Sequence, residues 1–548
     1  MPRVHLSRDN AFAAVLFAAG FAYLFRRWLF TGFDGVFGDG GDGEILLALV
    51  EHWHRVFAGL ARIADPILFY PESGVLGFTD AYLLYGIVHA AGRATGLDTF
   101  SAFMVVMALL AAIGFFGFVH LMHRHFAVPV RWAAIGAALF AFANMNAVKL
   151  VQAQAYCAML LPLLCALALT AWTAPTRARR VALAGTAGLL HGLIFLTAYL
   201  TGWFFTVFLF VIAVLHPLVF GPARTVAVVR EAATTKRDVV ASYGLALLIG
   251  IIPFLMLYLP VLDAGHRRDF AEIVANAPDA RDILNVTPDN WLWGGVLRQL
   301  GIVGRPNRPR WEVELGFTPA LLAVMAAGLA SLLMRNVREA TDRARFVLTF
   351  GLAVVLSVLV QFDYAGFRPW AVVHAVLPGA SAVRYTFRSQ IVANLFACVL
   401  VSYVLAALAG RVRTTAGRYL LVALAGLLLI EQINTQWPAT ISRRERLAWL
   451  TAIPAAPAEC RAFYLAPGAS PVGKPGYEHQ ADAMLFAEIR GIPTINGYSS
   501  WLPAGWNLEE PARPDYPAAV RSWAREKNLA NLCGLDPGRG TWTVGLPD

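Results

Sequence analysis

Charged residues are scarce in this chain of 548 residues, where Asp, Glu, Lys and Arg together make up 15%. A soluble domain of average composition carries about 25% charged and roughly 45–50% apolar residues. Here the hydrophobic share is 58% and the mean hydropathy is +0.57. The apolar residues come in runs too long for a soluble core. The composition therefore excludes an ordinary soluble enzyme and a disordered chain, and predicts an all-α polytopic membrane protein.

Lysine is nearly absent, with four lysines among the 45 basic residues. The formal net charge is nevertheless +10, which by itself would suit a nucleic-acid partner. In membrane proteins, however, basic residues collect in the cytoplasmic loops. We therefore expect the lipid bilayer as a partner, and no nucleic acid.

Cysteine is also rare, and none of the five residues lies in a CxxC pair or at a metal-ligand spacing. Cys460 and Cys533 both fall in the C-terminal tail. An oxidising compartment would permit a disulfide between them, and two unpaired thiols are the alternative.

The apolar runs predict eleven membrane spans, each close to the about 20 residues that cross a bilayer. With that count, the basic loops all fall on one side of the membrane, which is then cytoplasmic. Arg26 and Arg27, at the outer end of the first span, run against this bias. The predicted spans are 11–30, 100–121, 130–147, 153–172, 181–199, 201–220, 240–260, 317–334, 346–362, 390–410 and 418–434. The basic residues of the loops are Arg3, Arg8, Arg124, Arg131, Arg177, Arg179, Arg180, Arg224, Arg230, Lys236, Arg237, Arg335, Arg338, Arg343, Arg345, Arg411, Arg413 and Arg418.

This topology predicts two domains in a multi-pass protein of the bacterial inner membrane, with a cytoplasmic N-terminus. A transmembrane domain takes residues 1–435, and a small α/β domain, 436–548, lies in the periplasm or extracellular space. Residues 44–63 and 80–95 are expected to form juxtamembrane helices that lie in the interface. The outer loops of the first domain are 31–99, 261–316 and 363–388.

The most unusual local sequence follows the first span, where Phe37 to Glu44 contains three acids and four glycines. Glycines let a backbone turn tightly and approach a ligand. Carboxylates at this place can act as a general base, bind a metal or pair with arginine. The alternative is a solvated turn, with Asp42 or Gly43 close to the cap of the following helix.

The order of these elements resembles the GT-C fold membrane glycosyltransferases. The matching features are the acidic loop after the first span, interfacial helices and a Pro/Tyr segment before the second span. The resemblance covers residues 11–220 best and 378–410 weakly, and Thr386 stands where the related segments carry proline. The segments that match are 37–44, 69–80, 131–134, 144–154 and 378–388.

The resemblance implies a GT-C-like bundle of about eleven helices that transfers a sugar from a polyprenyl-phosphate carrier to a glycan or lipid acceptor outside the cytoplasm. The sugar would be a hexose or pentose, and the reaction would invert the anomeric centre. The general base would be Asp39 or Asp42, with Asp39 slightly favoured and Asp34 a weaker third option. No cofactor and no metal ligand is assigned, although a divalent metal stays open.

Candidate substrate-binding residues lie in three of the matching segments. Arg384 and Arg388 are spaced to share a helix face and suit a phosphate group, with interfacial snorkelling as the alternative. Asp80 would bind donor or acceptor, or cap the helix that follows it. Tyr70 belongs to the Pro/Tyr segment. Further aromatic and basic residues of the outer loop stay unassigned: Arg267, Arg268, Arg305, Arg308, Arg310, Trp291, Trp293 and Trp311.

The C-terminal segment 492–503 could line an acceptor site with its Tyr, Ser and Trp residues, or pack the small domain onto the bundle.

Two other functions remain open for the whole chain. One is a transporter or flippase of a lipid-linked glycan, although charged residues are scarce inside the spans. The other is a non-catalytic membrane subunit of an envelope-assembly complex.

Overall fold

The computed structural model describes residues 7–306, 310–334, 340–436, 438–468 and 476–548, without the side chains of residues 310 and 311. Arg3, Arg308, Arg335 and Arg338 lie outside these residues, as do the side chains of Arg310 and Trp311.

Helices make up most of the described chain. The first twelve are α1 (Arg8–Leu24), α2 (Arg26–Phe30), α3 (Asp42–Phe57), α4 (Leu83–Ala94), α5 (Thr99–Phe126), α6 (Val130–Ala141), α7 (Asn144–Lys149), α8 (Leu161–Thr173), α9 (Arg177–Thr197), α10 (Tyr199–Phe220), α11 (Pro222–Ala233) and α12 (Arg237–Asp263). The next eight are α13 (Phe270–Ala275), α14 (Gly294–Gln299), α15 (Arg310–Val313), α16 (Pro319–Leu333), α17 (Asp342–Leu359), α18 (Trp370–Val376), α19 (Ser389–Arg411) and α20 (Thr415–Ile430).

The chain is a multi-pass membrane protein, and each predicted span overlaps one helix or two successive helices. By length and composition, six helical runs in the described residues could cross a membrane, and two shorter apolar helices accompany them. The total of eleven crossings and their orientation stay predictions. The six runs are Thr99–Phe126, Val130–Thr173, Arg177–Thr197, Tyr199–Phe220, Arg237–Asp263 and Thr386–Arg411, and the shorter helices are Pro319–Leu333 and Thr415–Ile430.

The run from Val130 to Thr173 is interrupted near its middle. After α7 the chain continues as a 3₁₀ helix, Leu150–Leu160, in which Gln152 has non-helical torsion angles of φ −108° and ψ 71°. This break turns the backbone between α6 and α8, where the sequence predicts a polar outer turn. Two polar side chains of this segment, Gln152 and Gln154, line a cavity.

The C-terminal residues form the predicted small α/β unit. Its helices are α21 (Arg443–Ala452), α22 (Gly476–Arg490) and α23 (Tyr516–Glu526), and its sheet has the order β3-β4-β5. Cys460 and Cys533 form a disulfide that joins the segment before β3 to β4. Strand β4 is parallel to β3 and antiparallel to β5. The strands of the whole chain are β1 (Gly35–Phe37), β2 (Thr440–Ser442), β3 (Ala462–Leu465), β4 (Leu532–Asp536) and β5 (Thr541–Val544).

Strand pairing and helix packing both hold the C-terminal unit against the bundle. Strand β1, just before the acidic loop, pairs with β2. Helix α3, predicted as a juxtamembrane helix, packs along α22, so Gly43 to Trp53 are all buried. Arg26, which ran against the charge bias, donates to the carbonyls of Asn434 and Gln436 at 3.0 and 2.7 Å. These bonds to the segment that leads into the C-terminal unit explain why a basic residue lies at the end of the first span.

Candidate active site

A cavity of about 420 Å³ lies between the helical bundle and the C-terminal unit. Its wall is unusually rich in charged and aromatic side chains for the interior of an apolar protein. Helices α3, α10 and α12 contribute to it, together with the connecting segments around residues 80, 152, 312 and 385 and the C-terminal loop 498–501. The lining residues include Asp42, Phe78, Asp80, Tyr82, Gln152, Gln154, Tyr199, Tyr258, Arg268, Glu312, Arg384, Tyr385, Arg388, Tyr498 and Trp501.

The two acids of the glycine-rich loop have different positions. Asp39 Oδ1 accepts the backbone N–H groups of Gly41, the N-cap residue of α3, and of Gly43 in its first turn, at 3.0 and 3.2 Å. Asp42 stands in the first turn of α3 and lines the cavity. The two ends of the loop approach so closely that a Cβ on Gly43 would lie 2.5 Å from the Cα of Gly38. The tight loop therefore places the carboxylate of Asp39 against the backbone and that of Asp42 at the cavity.

Asp42 is exposed to the cavity but surrounded by protein. Gln152 Nε2 donates to Asp42 Oδ2 at 3.0 Å. Burial raises the pKa of Asp42 above its ordinary value, the hydrogen bond from Gln152 opposes that rise, and the charge of Asp39 adds to it. A carboxylate with a raised pKa that faces a cavity is suited to accept a proton.

A buried ionic network continues from Gln152. Arg388 binds Glu312 bidentately, with Nε–Oε2 and Nη2–Oε1 distances of 2.7 and 2.5 Å. Lys149 Nζ donates to Glu312 Oε2 at 3.1 Å and to Gln152 Oε1 at 2.6 Å. Gln152 thus connects the carboxylate of Asp42 with two cations on the other side of the cavity.

Glu312 is held in its charged form within this network. Burial alone would raise the pKa of Glu312, but the charges of Arg388 and Lys149 outweigh it and hold that pKa well below its ordinary value. Glu312 and Arg388 are therefore both charged, whereas burial lowers the pKa of Lys149 to about 8. This arrangement suits an anionic ligand group placed against Arg388 and Lys149.

Asp80 lines the same cavity but does not cap the helix that follows it, because α4 begins at Leu83 after Tyr82. That expectation is wrong. Asp80 Oδ1 instead accepts the backbone N–H of Tyr199, the first residue of α10, at 3.0 Å. Burial raises the pKa of Asp80, and the hydrogen bond from Tyr199 partly opposes this. Asp80 therefore joins the Pro/Tyr segment to the helix that forms the opposite wall.

Arg384 and Arg388 both line the cavity, but not from one helix as expected. Arg384 lies in a bend, and Arg388 ends the 3₁₀ turn Thr386–Arg388 before α19. Arg384 Nε contacts Glu272 Oε1 at 2.9 Å near the mouth of the cavity. Arg268 stacks on Trp501 there, with its guanidinium carbon 4.3 Å from the ring centroid.

Tyr70 lies away from the cavity. Its backbone N–H donates to the carbonyl of Thr494 at 2.9 Å, and its carbonyl accepts from Trp523 Nε1 at 3.0 Å. These bonds attach the Pro/Tyr segment to the C-terminal unit. Within that unit, the segment 492–503 has two parts. Ile495 and Asn496 are buried in the protein, whereas Tyr498 and Trp501 line the cavity.

An apolar groove of about 400 Å³ runs between α10, α17 and α18. A narrow crevice bordered by Arg388, Asp80 and Phe204 lies between the polar cavity and this groove. Phe204 lines both the crevice and the groove, and Ser389, next to Arg388, lines the groove. The polar and apolar spaces therefore meet beside the buried arginine.

The residues of the cavity do not fit a divalent metal. Between Asp42 and Glu312 stand the amide N–H group of Gln152 and the ammonium group of Lys149, which donate hydrogen bonds instead of coordinating a cation. Across the described part of the chain, no group of three or more His, Cys, Asp or Glu side chains could hold a metal ion.

Sequence reasoning did not assign Lys149, Gln152 or Glu312 to the site. Two features of the sequence distinguish Lys149 and Gln152: lysine is rare in this chain, and the polar turn 144–154 separates two apolar runs. Glu312 carried no local signal, because its partner Lys149 is 163 positions away.

Comparison with solved structures identifies the fold. The chain is similar to the oligosaccharyltransferase AglB of the archaeon Archaeoglobus fulgidus, solved with an inhibitory peptide and a dolichol-phosphate. The TM-score is 0.51 at 14% identity, over 96% of this chain and 69% of that one. The fold is of the GT-C type. The expected fold class is thereby confirmed.

Another solved structure is ArnT from Cupriavidus metallidurans bound to undecaprenyl phosphate. Its TM-score is 0.37 at 15% identity, over 88% of this chain and 84% of that one. No family model and no curated protein sequence matches the chain.

Proposed function

We propose that this protein is a membrane glycosyltransferase that moves a sugar from a polyprenyl-phosphate carrier to an acceptor outside the cytoplasm. One observation carries the proposal. A carboxylate suited to act as a base, Asp42, shares a cavity with the buried cation Arg388. Lys149 lines the adjoining crevice, and an apolar groove begins beside it. The fold likeness to AglB, which was solved with a dolichol-phosphate, is consistent with such a donor.

Asp42 is the base in this proposal. It takes the proton of the acceptor hydroxyl while that oxygen attacks the anomeric carbon of the donor sugar. The bond between the anomeric carbon and the phosphate oxygen breaks, and its electrons stay on the phosphate. Attack from the side opposite the phosphate inverts the anomeric centre. Asp39 is less suited because one of its oxygens already binds two backbone N–H groups.

Arg388 and Lys149 stabilise the phosphate that leaves. An arginine fork binds two phosphate oxygens at once, and the effect of its charge is stronger in a buried site than in water. Arg388 Nη1 has no hydrogen-bond partner among the described residues. The lipid chain of the donor would then leave the polar cavity past Phe204 and lie in the apolar groove.

The acceptor would enter from the side of the C-terminal unit. Tyr498 and Trp501 give that wall aromatic faces, which suit the apolar faces of sugar rings. We therefore favour a glycan or lipid-linked glycan as acceptor. The inner-membrane location and the cytoplasmic N-terminus belong to this proposal, because they place the cavity at the outer leaflet.

The test is transfer by the purified full chain in lipid nanodiscs. Undecaprenyl-phosphate sugars with a labelled hexose or pentose are supplied together with cell-envelope glycan acceptors. The wild type is expected to move the label from the lipid to the acceptor, and Asp42→Asn to lose that transfer. A flippase would instead move the labelled lipid between leaflets equally well in both proteins. Wild-type protein that transfers none of the labelled sugars would overturn the proposal.

A further inference from the structure

Among the described residues, Glu312 is the one carboxylate that contacts both of the buried cations Arg388 and Lys149. It binds two nitrogens of the Arg388 guanidinium and the ammonium group of Lys149, all within 3.1 Å. The side chains of Glu312 and Lys149 are 7% and 3% exposed, so solvent screens this contact weakly. An anion that binds at Arg388 and Lys149 must therefore compete with the carboxylate of Glu312, which already binds both cations.

The charge of the phosphate changes during the transfer proposed above. The donor is a phosphodiester with one negative charge. The product, polyprenyl phosphate, is a monoester whose second ionisation has a pKa of about 6, so it carries close to two negative charges at neutral pH. Two buried cations would hold that product more tightly than the donor. Without a counter-charge, release of the lipid phosphate would become slow.

We propose that Glu312 competes with the lipid phosphate for Arg388 and Lys149, and so promotes release of the polyprenyl-phosphate product. This inference rests on the proposed function. Glu312 makes no contact with Asp42, because Gln152 stands between them and donates to each at 3.0 and 3.3 Å. Glu312 therefore acts on the phosphate side of the cavity, as a residue that sets affinity through Arg388 and Lys149.

A purely structural role for Glu312 predicts the opposite result. If its carboxylate only orients Arg388 and Lys149, its removal disorders both cations and weakens phosphate binding. If it competes, its removal leaves two uncompensated cations and strengthens phosphate binding. The protein without ligand should then be less stable, and the stabilisation on adding the lipid phosphate should be larger than in the wild type.

The experiment measures binding of undecaprenyl phosphate to the full chain in nanodiscs. Glu312→Gln keeps the size of the side chain and removes its charge. We expect the Kd to fall roughly tenfold, and the inhibition of transfer by undecaprenyl phosphate to strengthen by a similar factor, with kcat reduced. Glu312→Asp, whose shorter side chain draws the carboxylate back from Arg388, should show a smaller change in the same direction.

Glu314→Gln is the matched control. Glu314 lies two residues further on and lines a separate cavity with Asn285 and Arg305, so the Kd for undecaprenyl phosphate should stay at the wild-type value. Equal or weaker binding by both Glu312 variants would overturn the role of Glu312 while leaving the proposed function intact. Wild-type protein that does not bind undecaprenyl phosphate would overturn the donor assignment itself.

Discussion

Two arginines that line one cavity each pair with a glutamate, and the two pairs differ in burial. Arg388 and Glu312, at the inner end, are 18% and 7% exposed, whereas Arg384 and Glu272, near the mouth, are 45% and 31% exposed. Exposed pairs gain little because water screens them, while removing one partner of a buried pair leaves a charge with no compensation. The same two residue types therefore form a buried ion pair at one end of the cavity and a solvent-screened ion pair at the other.

The largest expected effect is at the inner end. Asp42→Asn removes the base but keeps the size of the side chain, so we expect transfer to fall by roughly 10²–10⁴-fold. The measurement is the initial rate of label transfer, with correct insertion checked by size-exclusion chromatography. A variant that keeps more than a tenth of the wild-type rate would remove Asp42 from the proposed chemistry.

The two arginines test the comparison directly. Arg388→Gln leaves Glu312 with Lys149 as its remaining cation, and we expect the free energy of unfolding to fall by about 3 kcal/mol. Arg384→Gln at the mouth should change it by less than about 1 kcal/mol. Denaturant unfolding of both variants in the same detergent measures the difference. Equal losses would mean that burial does not separate the two pairs.

The pH dependence of transfer examines the contact between Gln152 and Asp42. The base must be ionised, so the rate falls as pH drops through the pKa of Asp42, which burial has raised. The hydrogen bond from Gln152 stabilises the carboxylate and lowers this pKa. Gln152→Leu should therefore move the acidic limb of the rate profile to higher pH.

Gln154→Leu is the control for that shift, since Gln154 lines the same cavity two residues away. Its acidic limb should coincide with that of the wild type. An acidic limb that stays in place in Gln152→Leu would show that another group governs it.

The smallest effect is expected at Asp39. The amide oxygen of asparagine can accept the same two N–H groups, so Asp39→Asn should retain both stability and transfer. Asp39→Ala removes the bonds to Gly41 and Gly43 and should cost about 1 kcal/mol of unfolding free energy. Loss of transfer in Asp39→Asn, measured beside Asp42→Asn, would make Asp39 the base.

Much of the helical layout could be read from the sequence, because apolar runs of membrane length report directly on helices. The small C-terminal α/β unit was predicted as well. The α3 prediction was less accurate. Its helical period was visible, but its burial was not, because α22 lies more than 400 positions further on. The expected helix for Arg384 also does not form, since the chain bends before α19.

The candidate site shows the same division. The acidic loop, Asp80 and the two arginines could be selected as separate chemical signals, although the choice between Asp39 and Asp42 could not be made locally. Both acids have similar neighbours in sequence. What distinguishes them is which carboxylate binds the N–H groups at the start of α3 and which faces the cavity.

The sequence by itself determined that this chain enters a membrane as a bundle of helices with acids and arginines in the segments between its apolar runs. Only the tertiary structure decided which charges meet. Lys149, Arg388 and Glu312 come from three distant segments, and their contact depends on the break at Gln152 and the bend before α19. Hydrophobic length is a local property of the chain, whereas a buried ionic network exists only after distant segments have packed together.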